Sequence, residues 1–302
     1  MSATNTIRAQ RVAAILSNSR FDPTRMNLPV PEQFHEEDAP GLVSLSQSVG
    51  WPHTIEDWRT TLRAGIVFGH RDHGGQVVSS SAVYLYGSEL ASIGVVIVRA
   101  ESRRQGLGRA AVLRCLEAAG GRPVMLVSTD DGFPLYQQLG FRTVEMVQNL
   151  FAPAPIPRER PADEPCRRFD PADFPALFAL DRVAFGADRS ALLQERWKQA
   201  SGGAILPEEH GFAWKIPQNE RLVIGPVVAD DSSAALRMIR FLVAGHEGPA
   251  RLDVFRRHPE LIAKLVALGF EPRAARPLML KNAGELPGER GRLYATAALA
   301  YG

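Results

Sequence analysis

A short basic turn between two apolar segments carries the residues best suited to chemistry in this chain. Arg103, Arg104 and Arg109 surround the pair Gly106 and Gly108. Guanidinium groups donate several hydrogen bonds to oxyanions, and glycine lets the backbone approach a ligand closely. Residues of these types at this spacing are suited to binding a polyphosphate.

The flanking segments indicate the elements that must position this turn. An apolar run at residues 93–98 predicts a strand before it, and the pattern at residues 110–117 predicts a helix after it. The first turn of such a helix presents backbone N–H groups and the positive end of the helix dipole, which together favour phosphate. The predicted site comprises Val96, Ile97, Val98, Arg103, Arg104, Gln105, Gly106, Leu107, Gly108, Arg109 and Ala110.

Three interpretations of this turn remain open from its residues alone. It can bind a polyphosphate cofactor other than a dinucleotide, or it can be an ordinary strand–helix turn with chance glycines. Residues 106–111 also match the dinucleotide fingerprint G-x-G-x-x-G/A, and Asp130 and Asp131 follow at roughly the spacing of its ribose-binding acid. In that fingerprint, however, the first glycine directly follows the strand, whereas a polar stretch from Arg99 to Gln105 intervenes here.

A second motif follows one predicted strand later, at residues 132–141. A short helix carries Tyr136 and ends at Gly140, which fits a helix C′ position where φ is positive. Phe141 then begins another predicted strand. The residues alone leave open whether Tyr136 is a packing aromatic or a chemical group.

The two motifs in this order resemble the signatures of the GNAT acyltransferases: an Arg-x-x-Gly-x-Gly turn and a helix with Tyr-x-x-Leu-Gly-Phe. The resemblance implies that acetyl-CoA is the co-substrate and that its pyrophosphate lies in the turn. It also implies that Tyr136 can protonate the departing thiolate. Val127 stands where relatives tend to carry an Asp, so no role is assigned to that position.

The chain also repeats itself, and the repeat predicts its architecture. The Ile-Gly pair at 93–94 recurs at 224–225, and Leu-Gly-Phe at 139–141 recurs at 268–270. Five further residues recur at one constant offset: Phe34, Asp38, Pro40, Leu42 and Leu45 reappear as Phe169, Asp173, Pro175, Leu177 and Leu180. We therefore predict two related domains.

A proline-rich segment at residues 152–161 predicts a stiff linker between these domains. The expected organisation is an N-terminal arm or extra helix at 1–27, a catalytic domain at 28–151 and a degenerate domain at 162–302. In the second copy Asp230 and Asp231 replace the arginines, and the Gly-x-Gly pair and the tyrosine are missing. Because carboxylates repel a pyrophosphate, we expect only the first copy to bind acetyl-CoA.

Further matches extend the resemblance over nearly the whole chain beyond about residue 28. They lie at 50–51, 57–58, 181–189, 225–229 and 293–295. This pattern is similar to bacterial tandem GNAT proteins with a YitH-like C-terminal acetyltransferase domain. It implies an α/β (α+β) fold of two GNAT-like domains, each a twisted, mixed, mainly antiparallel sheet flanked by helices.

Composition limits the classes of partner. The 302 residues are 45% hydrophobic and 23% charged, with a formal net charge of +2, so neither a nucleic-acid nor a membrane partner is expected. No apolar run reaches the ~18 residues of a membrane span, and no signal peptide is evident. The two cysteines, Cys115 and Cys166, suit a reducing cytoplasm.

Other candidate residues are less specific. Trp51 and Trp58 can line an acceptor pocket or pack between helices, and Glu89 can be a general base or a solvated acid before a strand. His70 and His73 lack a third ligand, so we expect them in a solvated hairpin loop and expect no metal site.

The sequence therefore predicts an acyltransferase that moves acetyl from acetyl-CoA to an amine by direct attack. The expected acceptor is a small-molecule amine or an amine of a protein or peptide, and the expected assembly is a monomer or homodimer. Two alternatives remain: a non-catalytic CoA-binding sensor or regulator with the same tandem fold, and a dinucleotide-dependent oxidoreductase.

Overall fold

The computed structural model describes residues 29–153, 166–206 and 211–302. The predicted N-terminal arm lies outside these residues, as do residues 154–161 of the predicted linker. The chain divides into two compact units. The first unit consists of Met1–Leu85 and Ala91–Val124, and the second unit consists of Tyr86–Leu90 and Met125–Gly302.

The described residues of the first unit form one sheet in the order β1-β2-β3-β4 with three α-helices. Strand β2 pairs antiparallel with β1 and with β3. The strands are β1 Glu32–Phe34, β2 Ile66–Arg71, β3 Val77–Tyr86 and β4 Leu90–Val98. The helices are α1 Ala39–Ser48, α2 Ile55–Ala64 and α3 Leu107–Ala119, with short 3-10 helices at Glu36–Asp38 and Ala100–Ser102.

The second unit contains the remaining strands in the order β5-β12-β6-β11-β13-β10-β9-β8-β7. They are β5 Val124–Val127, β6 Arg142–Ala152, β7 Arg167–Arg168, β8 Gly202–Ile205, β9 Gly211–Gln218, β10 Arg221–Ala229, β11 Ala250–Phe255, β12 Glu271–Lys281 and β13 Leu293–Ala295. Strands β10 and β11 run parallel, whereas β9–β10, β6–β11 and β6–β12 are antiparallel. The predicted mixed, mainly antiparallel sheet is confirmed.

Five α-helices lie in the part of the second unit that the structure describes. They are α4 Phe133–Gln138, α5 Phe174–Phe185, α6 Ser190–Trp197, α7 Ser232–Val243 and α8 Pro259–Ala267, with 3-10 helices at Pro171–Asp173 and Arg290–Arg292. Of the helices in the described ranges, none is long and apolar enough to cross a membrane.

The predicted repeat is visible in the hydrogen bonds that start the first helix of each copy. In both copies a 3-10 turn leads into the helix, and an aspartate closes that turn. The Asp38 carboxylate accepts from the His35 N–H at 2.7 Å, and the Asp173 carboxylate accepts from the Asp170 N–H at 2.8 Å. Each aspartate thus satisfies a backbone donor before the helix begins.

The same correspondence holds at the C-termini of α4 and α8. The Phe141 N–H donates to the Tyr136 carbonyl at 3.0 Å, and the Phe270 N–H donates to the Leu265 carbonyl at 3.0 Å. The intervening glycine has a φ of 84° in the first copy and 99° in the second. Both ends are Schellman motifs, which require a left-handed residue and explain the recurring Leu-Gly-Phe.

The compact units divide earlier in the chain than the predicted domain boundary at residue 151. Strand β6 lies in the second unit because it pairs with β12 along one edge and with β11 along the other. These are pairings between segments far apart in sequence. The predicted boundaries themselves stay a prediction.

Candidate active site

The final half of β4 is shaped by a local break in the strand. Val95 has a φ of 46°, which is uncommon for a β-branched residue, and Ser80 Oγ donates a 2.7 Å hydrogen bond to its carbonyl oxygen. Both residues are buried. The strand then continues through residues 96–98, where Ile97 is buried and Val96 and Val98 are half-buried. The break changes the course of the backbone just before the predicted ligand-binding segment.

The turn after β4 has a defined backbone. The Arg99 N–H donates to the Val78 carbonyl at 2.9 Å, which ties the end of β4 to β3. A 3-10 helix follows at Ala100–Ser102, and two left-handed residues then reverse the chain: Arg104 with a φ of 61° and Gly106 with a φ of 79°. A left-handed conformation at position 106 favours glycine, which has no Cβ.

Helix α3 begins directly after this reversal. Gly106 has no side chain with which to cap it, and the first helical hydrogen bond runs from the Ala110 N–H to the Gly106 carbonyl at 2.9 Å. The N–H groups of Leu107, Gly108 and Arg109 precede that bond. They lie at the positive end of the helix dipole, which favours an anion.

Glycine at position 108 has a packing reason as well. A Cβ added there would lie 3.2 Å from Val98 Cγ2, which is a tight contact between the start of α3 and the end of β4. Any larger side chain must displace its neighbour. The small residue therefore keeps strand and helix close together around the turn.

The side chains of the turn make its surface basic. Arg103, Arg104 and Gln105 are exposed, and Arg109 is half-buried. Arg99 Nε lies 3.8 Å from a carboxylate oxygen of Glu101, which is the acid of this segment. Backbone N–H donors and guanidinium groups are the kinds of group that bind a pyrophosphate. Within the part of the chain that the structure describes, no group of three His, Cys, Asp or Glu residues could hold a metal ion.

Tyr136 lies on α4 in the second unit and is 6% exposed. Its ring packs edge-on against Phe141, with centroids 6.0 Å apart. A Cβ added at Gly132 would lie 2.8 Å from ring atom Cε2 and 3.3 Å from the hydroxyl oxygen, so glycine at the helix N-cap makes room for the whole side chain. The ring is thus a packing element, and its hydroxyl lies beside the start of α4.

The structure separates the two predicted acceptor tryptophans. Trp58 is 1% exposed, and its indole N–H donates to Ser46 Oγ at 2.7 Å. Trp51 is half-buried, and the His53 ring lies edge-on to both indoles at centroid distances of 5.6 and 5.8 Å. This position of Trp58 matches the packing interpretation, because its polar atom is already bound inside the first unit.

Glu89 lies in the turn between β3 and β4. Its side chain is 41% exposed and one carboxylate oxygen is 4.0 Å from Arg182 Nη2, so its environment is that of a solvated acid.

His70 differs from the sequence-based expectation of a solvated hairpin loop. It is the fifth residue of β2, it is buried, and its Nδ1 lies 2.7 Å from Ser79 Oγ. The hairpin is shorter than expected because the Asp72 carboxylate accepts from the N–H groups of Gly74 and Gln76, both at 2.9 Å, which closes a tight turn after β2.

The second copy arranges the corresponding helix start differently. The Asp231 side chain caps α7 by accepting from the Ala234 N–H at 2.7 Å. Asp230 forms an ion pair with Arg292. Both carboxylates predicted to repel a pyrophosphate are therefore engaged within the protein.

Comparison with known proteins identifies the family. Residues 32–141 match the model described as "Acetyltransferase (GNAT) family", and residues 177–295 match "Acetyltransferase (GNAT) domain". The chain is 32% identical over 276 residues to the uncharacterized N-acetyltransferase YitH of Bacillus subtilis (strain 168), covering 89% of this chain and 97% of that protein. The chain belongs to the GNAT family of N-acetyltransferases. This family uses acetyl-CoA, and neither match is to a dinucleotide-binding enzyme.

Solved structures share the GNAT fold with this chain. A putative acetyltransferase from Pyrococcus horikoshii superposes with a TM-score of 0.77 at 17% identity, covering 90% of this chain and 95% of that one. A tandem GNAT protein from the clavulanic acid biosynthesis pathway gives a TM-score of 0.61 at 17% identity, covering 84% and 99%. The predicted tandem arrangement is thereby confirmed.

The structural role of Ser80 in the site could not be predicted from the sequence. Ser80 lies in a run of three serines, 79–81, that has no nucleophile motif around it. Its role is to hold the Val95 carbonyl through a bond between residues 15 positions apart. No local pattern marks such a contact, because it depends on the pairing of β3 with β4.

Proposed function

We propose that this GNAT enzyme transfers the acetyl group of acetyl-CoA to an amine of a small molecule, or of a peptide or protein, by direct attack on the thioester. The observation that carries the proposal is the start of α3. There Gly106 adopts a left-handed conformation and leaves the first-turn N–H groups to a ligand instead of to a cap.

Strand β4 and the turn after it bind different parts of acetyl-CoA. Backbone groups of residues 96–98 pair with the amide groups of the pantetheine arm, as an added strand does at a sheet edge. The N–H groups of residues 106–109, which precede the first helical hydrogen bond, bind the pyrophosphate, and Arg103, Arg104 and Arg109 neutralise its charge. The break at Val95 supports this assignment, because it precedes the pairing segment.

The chemical step needs positioning and proton transfer. The acceptor nitrogen forms a bond to the thioester carbon, and the carbon–sulfur bond breaks. We assign Tyr136 as the group whose hydroxyl donates a proton to the leaving sulfur, while the proton of the acceptor nitrogen leaves to water or a base. A buried tyrosine held by ring packing is suited to this task, since its hydroxyl direction is fixed.

The second copy is assigned no cofactor. Asp231 already caps α7, and Asp230 is paired with Arg292. An incoming pyrophosphate would have to displace the cap and lie against two carboxylates, which is electrostatically unfavourable. We therefore propose one acetyl-CoA per chain.

An amine panel tests the proposed transfer. The intact chain is incubated with acetyl-CoA and each amine, and free CoA is measured by thiol reaction. Amine-dependent release above the hydrolysis background supports the enzyme. A thermal-shift screen with acetyl-CoA, CoA and NAD runs in parallel: stabilisation by CoA compounds without release by any amine supports the sensor, and stabilisation by NAD alone supports the oxidoreductase.

A further inference from the structure

The buried guanidinium of Arg290 lies outside the cofactor turn and is incompletely paired. Arg290 begins the 3-10 helix before β13 and is 7% exposed. Its Nε donates to the Pro287 carbonyl at 2.8 Å. Its Nη1 and Nη2 are buried, and neither has a hydrogen-bond partner among residues 29–153, 166–206 and 211–302. Burying the outer N–H groups of a guanidinium without a hydrogen-bond acceptor costs folding free energy.

A second arginine binds the Asp181 carboxylate of this region. The Phe185 ring contacts two guanidinium groups, with Arg290 Cζ 4.3 Å and Arg189 Cζ 3.9 Å from its centroid. Arg189 binds both carboxylate oxygens of Asp181 at 2.8 Å and donates to the Gly302 carbonyl at 2.7 Å. The one carboxylate of the cluster therefore belongs to Arg189.

Charge around Arg290 is unbalanced. Burial and the neighbouring guanidiniums of Arg189 and Arg257 lower the pKa of Arg290 to about 9, and Asp181 and Tyr86 only partly offset this. Burial also raises the pKa of Tyr86 far above its usual value, and its hydroxyl donates to a backbone carbonyl at 2.9 Å. Arg257 is paired with Glu145, whereas the buried guanidiniums of Arg189 and Arg290 face one carboxylate, that of Asp181, and the tyrosine is neutral.

The backbone fixes Arg290 in place. A Cβ added at Gly186 would lie 2.3 Å from the Gly288 nitrogen, so the end of α5 and the segment before Arg290 meet backbone to backbone. The Glu289 N–H donates to the Val183 carbonyl at 2.9 Å. The side chain of Arg290 is therefore presented by a packed segment, as expected of a built binding group.

We propose that the Nη1–Nη2 edge of Arg290 binds a small oxyanion, a carboxylate or a phosphate, inside the second unit. The two outer nitrogens of a guanidinium present parallel N–H groups at the spacing of two oxygens of either ion. The bound charge would balance the excess of guanidinium groups around Phe185. This site is independent of the acetyl-CoA turn and of the proposed acetyl transfer.

Residues 181–189, which have no part in the cofactor turn, support this anion site. Asp181 occupies Arg189, Phe185 supports both guanidiniums, and Gly186 admits the segment that carries Arg290. These residues together neutralise Arg189 within the protein and leave Arg290 able to bind a ligand.

Thermal unfolding of the intact chain tests the site. The wild type, Arg290→Met and the control Arg182→Met are titrated with sodium acetate and, separately, inorganic phosphate at constant ionic strength adjusted with sodium chloride. Arg182 is a suitable control because it belongs to the same segment but is 64% exposed. We expect a saturable rise in Tm for the wild type and Arg182→Met, and its loss in Arg290→Met.

The separate titrations with acetate and phosphate also identify the class of ion that binds. A rise with acetate alone assigns a carboxylate, a rise with phosphate alone assigns phosphate, and a rise with both assigns a site that accepts either. If Arg290→Met does not fold, Arg290→Lys retains the charge without the planar fork, and half-saturation should then need at least tenfold more anion. Flat wild-type titrations, or equal titrations in the wild type and the Arg290 variant, overturn the proposal.

Discussion

The Asp231 carboxylate accepts a 2.7 Å hydrogen bond from the Ala234 N–H, and so the first turn of α7 is capped from within the chain. Its counterpart in the first copy, α3, begins after Gly106, which has no side chain to offer. The two copies therefore treat the same structural position in opposite ways. One helix start is closed by a carboxylate, and the other remains suited to an external anion.

This difference predicts the binding stoichiometry. Calorimetric titration of the intact chain with acetyl-CoA should give one site per chain. Asp231→Ala serves as the matched variant: it should lower the free energy of unfolding by about 0.5–2 kcal/mol through loss of the cap, and leave the stoichiometry at one. Two equivalents in the wild type would show that the second copy also binds the cofactor.

Changes in the cofactor turn should weaken acetyl-CoA binding. Arg103→Ala combined with Gly108→Asp removes a charged donor and places a carboxylate beside the predicted pyrophosphate. We expect affinity to fall at least tenfold, or ~1.4 kcal/mol, by calorimetry. The control is Arg273→Ala, which removes an exposed arginine paired with Glu271 in the second unit. Unchanged affinity in the folded double variant would exclude the turn as the pyrophosphate site.

Tyr136→Phe should lower turnover and leave acetyl-CoA affinity nearly intact. The ring and its contact with Phe141 are kept, whereas the proton donor is lost. General-acid roles are commonly worth about 10²–10⁴ in rate, and a thiolate leaving group places the expected loss at or below the low end. Phe141→Leu is the control, since it alters the packing and retains the hydroxyl. Wild-type turnover in Tyr136→Phe, with chemistry rate-limiting, would leave this tyrosine only its packing role.

The Asp181–Arg189 pair should be important for stability. Both side chains are nearly inaccessible, at 2% and 0% exposure, and the contact is bidentate. Asp181→Asn leaves a buried guanidinium without its counterion, so we expect a loss of about 3–5 kcal/mol in the free energy of unfolding, measured with urea. The exposed pair Arg273–Glu271 should cost less than about 1 kcal/mol when broken. Similar losses for both pairs would refute the assigned importance of burial.

Acid should destabilise the protein partly through His258. Burial lowers the pKa of His258 below its ordinary value of 6.5, although the Leu293 carbonyl partly offsets this. A base with a lowered folded pKa binds fewer protons in the folded state, so its neutral form contributes fully above about pH 6.5 and that contribution is lost as the pH falls. His258→Gln should therefore show a shallower loss of unfolding free energy between pH 7 and pH 5 than the wild type. Parallel curves would contradict this.

Local sterics explain which parts of the site could be predicted from the sequence. Gly106, which was expected to let the backbone approach a ligand closely, has a φ of 79°, and Gly140 has the positive φ expected at a helix C′ position, 84°. The helix after the first glycine and the tyrosine helix follow from short-range patterns. Such signals need only neighbouring residues, so a single sequence contains them.

Contacts between distant segments account for what the sequence does not show. His70 becomes buried because Ser79, on the next strand, lies beside its ring. The bond from Ser80 to Val95 likewise depends on strand pairing. Asp231 was expected only to repel a ligand, and its capping role emerges from the geometry of α7. Each case needs a register that no local pattern specifies.

The pairing of β6 also constrains how the chain can be made. Gln148 Nε2 donates to the Arg273 carbonyl at 2.6 Å, although the two residues are 125 positions apart. At a ribosomal rate of about 5–20 residues per second, the later residue is added roughly 6–25 s after the earlier one. During that interval β6 lacks β12, and an unpaired strand is open to wrong partners. Synthesis of the C-terminal half is therefore a condition for completing the strand that follows Tyr136.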